Sequence, residues 1–238
     1  MANKSRKNQN LSDNVRLDRR TLWTLNAVPK KSVYGESLRR HRGAEWRRWD
    51  PFRSKLGAGI VRAKRERDSL LPQPGTTVLY LGAAHGTTVS HLHDHLCGKE
   101  NVLGGRLIAL DFSPRCVRDL NHLAELRPGL IPVLGDAREH GKWGHLIPRK
   151  IDWIFQDVAQ AEQVNIFISA CNRFLSKGGT AILSLKAASE RRSQRTDEEI
   201  FDDVEEILST NGLQIIERIN LVGLEQQHTL FHCKNFQK

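Results

Sequence analysis

No window of this 238-residue sequence stays apolar for the length that a membrane-crossing helix requires, so a soluble chain is expected. The basic opening MANKSRKNQNLSDN is followed by no apolar segment, which argues against a secretory signal. Four cysteines, Cys97, Cys116, Cys171 and Cys233, stand far apart with no C-x-x-C pairing. That spacing argues against both a zinc site and a disulfide framework, and it fits a reducing, intracellular compartment. Internal repeats and low-complexity tracts are also missing. So are two phosphate-binding signatures, the G-x-G-x-x-G of dinucleotide folds and the P-loop ending in Gly-Lys-Ser/Thr.

What the sequence does have in excess is positive charge, and it is unevenly placed. Residues 1–69 hold 19 Lys and Arg against 7 Asp and Glu, whereas residues 70–238 hold 18 against 20. A basic cluster of this size attracts polyanions, which makes nucleic acid the leading partner. A solvated tail explains residues 1–20, which lack hydrophobic periodicity and are expected to be disordered. It explains less of residues 39–67, where arginines alternate with Trp46, Trp49 and Phe52. Residues 21–69 read as a small β-extension, with short strands between Thr21 and Tyr34 interrupted by Pro29. A basic helix follows, which Asp50-Pro51 can start and which carries Leu56, Ile60 and Ala63 on one face.

From Thr76 the pattern becomes regular. The runs VLYLG, RLIALDF, LIPVLGDA, IDWIFQDVA and TAILSLKA alternate with helical segments, including Thr88–Leu96, Pro114–Arg127, Glu162–Leu175 and Asp197–Thr210. QIIERINL and HTLFHCKNF then read as an antiparallel pair closing one edge. Residues 70–238 are therefore expected to form a doubly wound, mostly parallel, seven-stranded α/β sheet.

Ligands bind such sheets at the carboxyl ends of the strands, and these ends are polar. The first strand runs into the turn LGAAHGTT, with Gly82, Ala83, Gly86, Thr87 and Thr88. Alone, this turn fits either a ligand cradle or an ordinary strand-to-helix connection. The next strands end at Asp111-Phe112, Asp136-Ala137, Asp157-Val158-Ala159-Gln160 and Lys186. A single such acid is commonly a helix cap. Three at one rim point instead to a nucleoside ligand, with Asp111 on ribose hydroxyls and Asp136 on a base amino group. With no phosphate cradle specified, the expected cofactor is S-adenosyl-L-methionine.

LYLGAAHGTTVSH, LDFSPR, GDAR, DVAQ, the glycine pair before AILSLKA, and upstream VYGE and WDPFRSKL together resemble the fibrillarin family, the ribose 2′-O-methyltransferases of box C/D guide-RNA particles. The resemblance covers roughly residues 33–231. The Gly/Arg-rich N-terminal region of eukaryotic members is missing, so the chain is most similar to the archaeal, fibrillarin-like proteins. The resemblance implies a cytoplasmic RNA methyltransferase acting on rRNA or tRNA. It also implies a guide RNA, a Nop-type scaffold protein and a kink-turn-binding protein as partners. The family's Lys-Asp-Lys-His constellation falls on Lys55 in RSKL, Asp157 in DVAQ, Lys186 in SLKA and His228 in QQHTLF.

This sequence departs from the family's pattern at His85, where a small residue is common, at Asp111 for glutamate, and at Ala161 for proline. It also departs in GLEQQH, which lacks the usual proline, tyrosine and aspartate. The basic loop ASERRSQRT after Lys186 is a second candidate for RNA contact, or a solvated surface loop. Two other readings stay open on sequence, a stand-alone RNA methyltransferase and a non-catalytic RNA-binding subunit that kept the fold.

Overall fold

The structure is a computed structural model, and it describes residues 9–147, 149–190, 195–225 and 228–236. Among the described residues, twelve strands form two sheets. The smaller is antiparallel, in the order β1 (Gln9–Asn10), β2 (Val15–Asp18), β3 (Thr21–Leu25), β5 (Ala44–Trp49), β4 (Leu38–His41). The larger has seven strands in the order β11 (Leu213–Asn220), β12 (His228–Asn235), β10 (Leu175–Lys186), β9 (Ile151–Gln156), β6 (Thr77–Leu81), β7 (Arg106–Asp111), β8 (Leu130–Leu134). Strands β10, β9, β6, β7 and β8 run parallel, and β12 is antiparallel to both of its neighbours.

Seven α-helices are found among the described residues: α1 (Lys55–Arg62), α2 (Thr87–Cys97), α3 (Pro114–Ala124), α4 (His140–Trp143), α5 (Gln163–Phe174), α6 (Ala187–Glu190) and α7 (Asp197–Thr210). The period-2 alternation of β6 divides its side chains between two cores. Leu79 and Leu81 enter one core with residues of α5 and α7, while Val78 and Tyr80 enter the other with residues of α1, α2 and the small sheet. The crossovers through α2 and α3 therefore lie on one face and those through α4 and α5 on the other. Strand order reverses between β6 and β9, which opens a crevice at their carboxyl ends. No helix among the described residues is long and apolar enough to cross a membrane.

The large sheet follows the sequence expectation, and the N-terminal third departs from it in three ways. Residues 9–18, expected to be disordered, form β1 and β2 because VRLD alternates and buries Val15 and Leu17 in the second core. Residues 1–8 lie outside the described chain. Only Thr21–Leu25 of the stretch read as short strands is a strand; the partner hairpin lies in residues 38–49, turned by Arg42 and Gly43, both at positive φ. The helix expected from Asp50-Pro51 begins later. Asp50 Oδ1 accepts the Phe52 N–H in a local turn, and Ser54 caps α1 by accepting the Gly57 N–H at 3.1 Å.

Candidate active site at the strand ends

A cleft of about 210 Å³ opens beside the ends of β6, β7 and β9. Eight of the residues expected to hold a cofactor line it: Gly82, Asp111, Phe112, Ala137, Asp157, Val158, Ala159 and Gln160. Ala84, Leu110, Ser113, Cys116 and Gly135 line it as well, without having been singled out in the sequence. Gly82 is required by both conformation and space. Its φ is +82°, and a Cβ would lie 2.4 Å from the Asp157 carbonyl oxygen, so β6 and the segment after β9 can approach only through glycine.

Asp111 is buried at the end of β7. Its Oδ2 accepts the Ala84 N–H at 2.8 Å and its Oδ1 accepts the Ser113 N–H at 2.9 Å. These bonds fix the carboxylate and leave a lone pair on each oxygen for a ligand. Gln160 lines the cleft too, and its buried Oε1 has no hydrogen-bond partner among the described residues. Such an orphaned acceptor calls for a donor from a ligand.

Asp136, expected to accept a base amino group, is held by Arg138. Arg138 grips its carboxylate with Nε at 3.0 Å from Oδ1 and Nη2 at 2.6 Å from Oδ2. This grip, reinforced by the Arg138 N–H and by Gln160, holds the Asp136 carboxyl down at about 2. Its neighbours Gly135 and Ala137 face the cleft instead. Ala83, Gly86, Thr87 and Thr88 also stand outside the cleft lining. Gly86 heads α2 at φ +92°, where a Cβ would lie 2.9 Å from Leu123 Cδ2. The buried Thr88 hydroxyl donates to Ser54 Oγ at 2.8 Å, which ties the first turn of α2 to the cap of α1.

That cap places Lys55, the first residue of α1, over the site. Lys55 Nζ lies 2.9 Å from both oxygens of Asp157, with side-chain exposures of 23% and 16%. The two residues are 102 positions apart in the chain. Lys186 ends β10 directly opposite His228, the first residue of β12. The Lys186 side chain is exposed, and no ion pair from its ammonium to Asp157 forms among the described residues. Buried Gln163 anchors this rim: its Oε1 accepts the Lys186 N–H at 3.3 Å, its Nε2 donates to the Val158 carbonyl, and its own carbonyl accepts Gln156 Nε2 at 2.7 Å. Nothing in the sequence flagged Gln163 or Ser54. Residues 191–194 of the basic loop lie outside the described residues, and Arg195 beyond them is bound to Asp203.

A seven-stranded sheet with a single antiparallel strand next to its edge, carrying a nucleoside-sized acidic cleft at its switch point, defines a Rossmann-like methyltransferase. The fibrillarin profile matches residues 5–237. The chain is 41% identical over 208 residues to the fibrillarin-like rRNA/tRNA 2′-O-methyltransferase of Thermococcus onnurineus, covering 87% of each. The crystal structure of Aeropyrum pernix fibrillarin with natively bound S-adenosyl-L-methionine superposes with a TM-score of 0.77 at 32% identity, over 92% of each chain. The fibrillarin of a fibrillarin/Nop5p complex does so with a TM-score of 0.78 at 33% identity, over 94% of this chain and 98% of that one. The chain belongs to the fibrillarin family.

Proposed function

We propose that this protein is an S-adenosyl-L-methionine-dependent ribose 2′-O-methyltransferase acting on rRNA or tRNA under the direction of a box C/D guide RNA. The observation that carries it is the Lys55–Asp157 pair, brought from positions 102 residues apart to the rim of an acidic nucleoside cleft. The cleft's own residues fit the methyl donor. Asp111, held by two backbone N–H groups, has acceptors left for both ribose hydroxyls, and the orphaned Gln160 Oε1 suits the adenine amino group better than the occupied Asp136. Bound there, S-adenosyl-L-methionine supplies an electrophilic sulfonium methyl.

The protein's part is to present a ribose hydroxyl and manage its proton. Lys55, pinned by Asp157, orients the hydroxyl or a neighbouring phosphate. Lys186, on the exposed end of β10, orients the hydroxyl and stabilises the developing alkoxide with its ammonium, and the hydroxyl proton leaves to solvent water. His228 lies beside it across the strand pair and completes the constellation.

A separate basic groove is the candidate RNA track. Arg19, Arg20, Arg48, Arg62, Lys64 and Arg67 line a groove of about 1080 Å³, and none of them forms an ion pair among the described residues. Phe52, 60% exposed in that groove, lies three positions before Lys55 and offers a face for stacking. The reading brings with it a Nop-type scaffold, a kink-turn-binding protein and a cytoplasmic setting.

The test is reconstitution with scaffold, kink-turn protein and guide RNA, mapping 2′-O-methylation by resistance to alkaline cleavage. Lys186→Ala and Asp157→Ala should each lower the methylation rate by about a hundredfold or more. Full activity in both variants would sink the enzyme reading, and activity of the isolated chain without guide would mark a stand-alone enzyme.

A further inference from the structure

His85 sits in the turn between β6 and α2, where the family's pattern has no need of an imidazole. Its Nδ1 lies 2.7 Å from Asp119 Oδ2 on α3, and its Nε2 lies 3.7 Å from Cys116 Sγ on the first turn of the same helix. The bond with His85, followed by that from Arg118, holds the Asp119 carboxyl below its ordinary range. An ionised carboxylate only accepts, so Nδ1 donates to Asp119, and in the neutral ring Nε2 then presents its lone pair to the thiol. Cys116 is fixed by its own N–H, which Ser113 Oγ accepts at 3.4 Å, and it forms part of the cleft wall beside Asp111 and Phe112.

The other three cysteines are in a different situation. Cys97, Cys171 and Cys233 are buried, and burial pushes the Cys97 thiol up to about 12 and the other two upward as well. Cys116 is the one cysteine that is not buried.

We propose that Cys116, His85 and Asp119 form a reactive-thiol site that takes small electrophiles, hydrogen peroxide above all, and that an adduct on Cys116 closes the cleft to the methyl donor. The second half rests on the reading of the cleft given above. In the reaction Cys116 Sγ attacks one peroxide oxygen and the O–O bond breaks. The thiol proton passes through His85 Nε2 to the departing oxygen, which leaves as water. Sulfur loses two electrons to the peroxide and ends as a sulfenic acid. Asp119 acts through His85, as a positioning residue.

The experiment treats the full chain with hydrogen peroxide, or with iodoacetamide in parallel, and follows each cysteine by mass spectrometry. Cys116 should react first. His85→Ala, a change at a side chain that is 55% exposed, should slow it about tenfold or more, and added imidazole should restore the rate in that variant. Asp119→Ala should slow it less, with Asp119→Glu recovering part of the loss. S-adenosylhomocysteine should protect the wild-type thiol. Equal rates in wild type and His85→Ala overturn the thiol–imidazole site, whatever the nucleoside does. Slowed reaction in His85→Ala without protection by S-adenosylhomocysteine upholds the thiol site and overturns its link to the methyl donor.

Discussion

Asp111 and Asp136 look alike in the sequence, each an acid after an apolar strand, and the structure gives them different partners. Asp111 receives two backbone N–H groups and keeps lone pairs for a ligand, whereas Asp136 is saturated by an arginine two positions away. Strand-end position was legible from periodicity alone; the orientation of the side chain, set by the turn that follows, was not. The difference leads to a binding prediction. Asp111→Asn keeps the shape but turns one acceptor into a donor facing a backbone N–H, and it weakens the hydrogen bonds to the ribose. S-adenosyl-L-methionine affinity measured by calorimetry should fall about tenfold to a hundredfold, the weight of one or two charge-assisted hydrogen bonds. Asp136→Asn, by contrast, should change the affinity far less. If the two variants bind alike, the assignment of Asp111 to the ribose is wrong.

At the scale of elements, the small sheet is held to the large one through Arg47 of β5. Its neighbours Trp46, Arg48 and Trp49 led the sequence reading to a basic, nucleic-acid-facing stretch, and Arg48 does line the groove. Arg47 points the other way. Strand alternation sends it inward with Trp49, to 0% exposure, where Nε donates to Glu36 and Nη1 to Asp94 of α2, each at 2.6 Å, and Nη2 donates to Ser90. Arg127 also binds Asp94, so the acid is shared by two guanidinium groups. Burial opposes the charge on Arg47, and Asp94 and Glu36 together overcome that opposition. The partners lie 11 and 47 positions away, so no local pattern distinguishes Arg47 from Arg48. Arg47→Ala should destabilise the fold by about 3–5 kcal/mol in urea unfolding, because it leaves buried Glu36 without its guanidinium and Asp94 with the Arg127 guanidinium alone. Arg48→Ala should leave stability within about 0.5 kcal/mol. A small effect for Arg47→Ala would mean that the two sheets do not depend on this network.

For the molecule as a whole, the seven-stranded sheet was legible because each of its strands carries its own apolar run and each connection between its parallel strands its own helix. The placement of α1 over the strand ends was not, since it rests on contacts such as Thr88 to Ser54 and Lys55 to Asp157 that join distant residues. The same tertiary packing sets the response to pH. His91, His95, His140 and His232 are enclosed, and burial pushes all four below the usual histidine value, His232 to about 4. His91 is stacked on Trp49 between Tyr34 Oη and Thr24 Oγ1, and His232 Nε2 faces Ser69 Oγ at 3.0 Å. Above about pH 7.5 these rings are neutral whether the chain is folded or not, and they contribute no slope. As the pH falls from 6.5 towards 4, the unfolded chain takes up protons that the folded chain refuses, so stability drops throughout that window. The carboxylates held low, such as Asp136 at about 2, lose their contribution only at more acid pH, so the histidines dominate the first part of the decline. Urea unfolding should show His232 alone costing about 2 kcal/mol between pH 7 and pH 4.5. His232→Asn should flatten the pH profile by that amount, and an unchanged slope in the variant would show that another group drives the acid response.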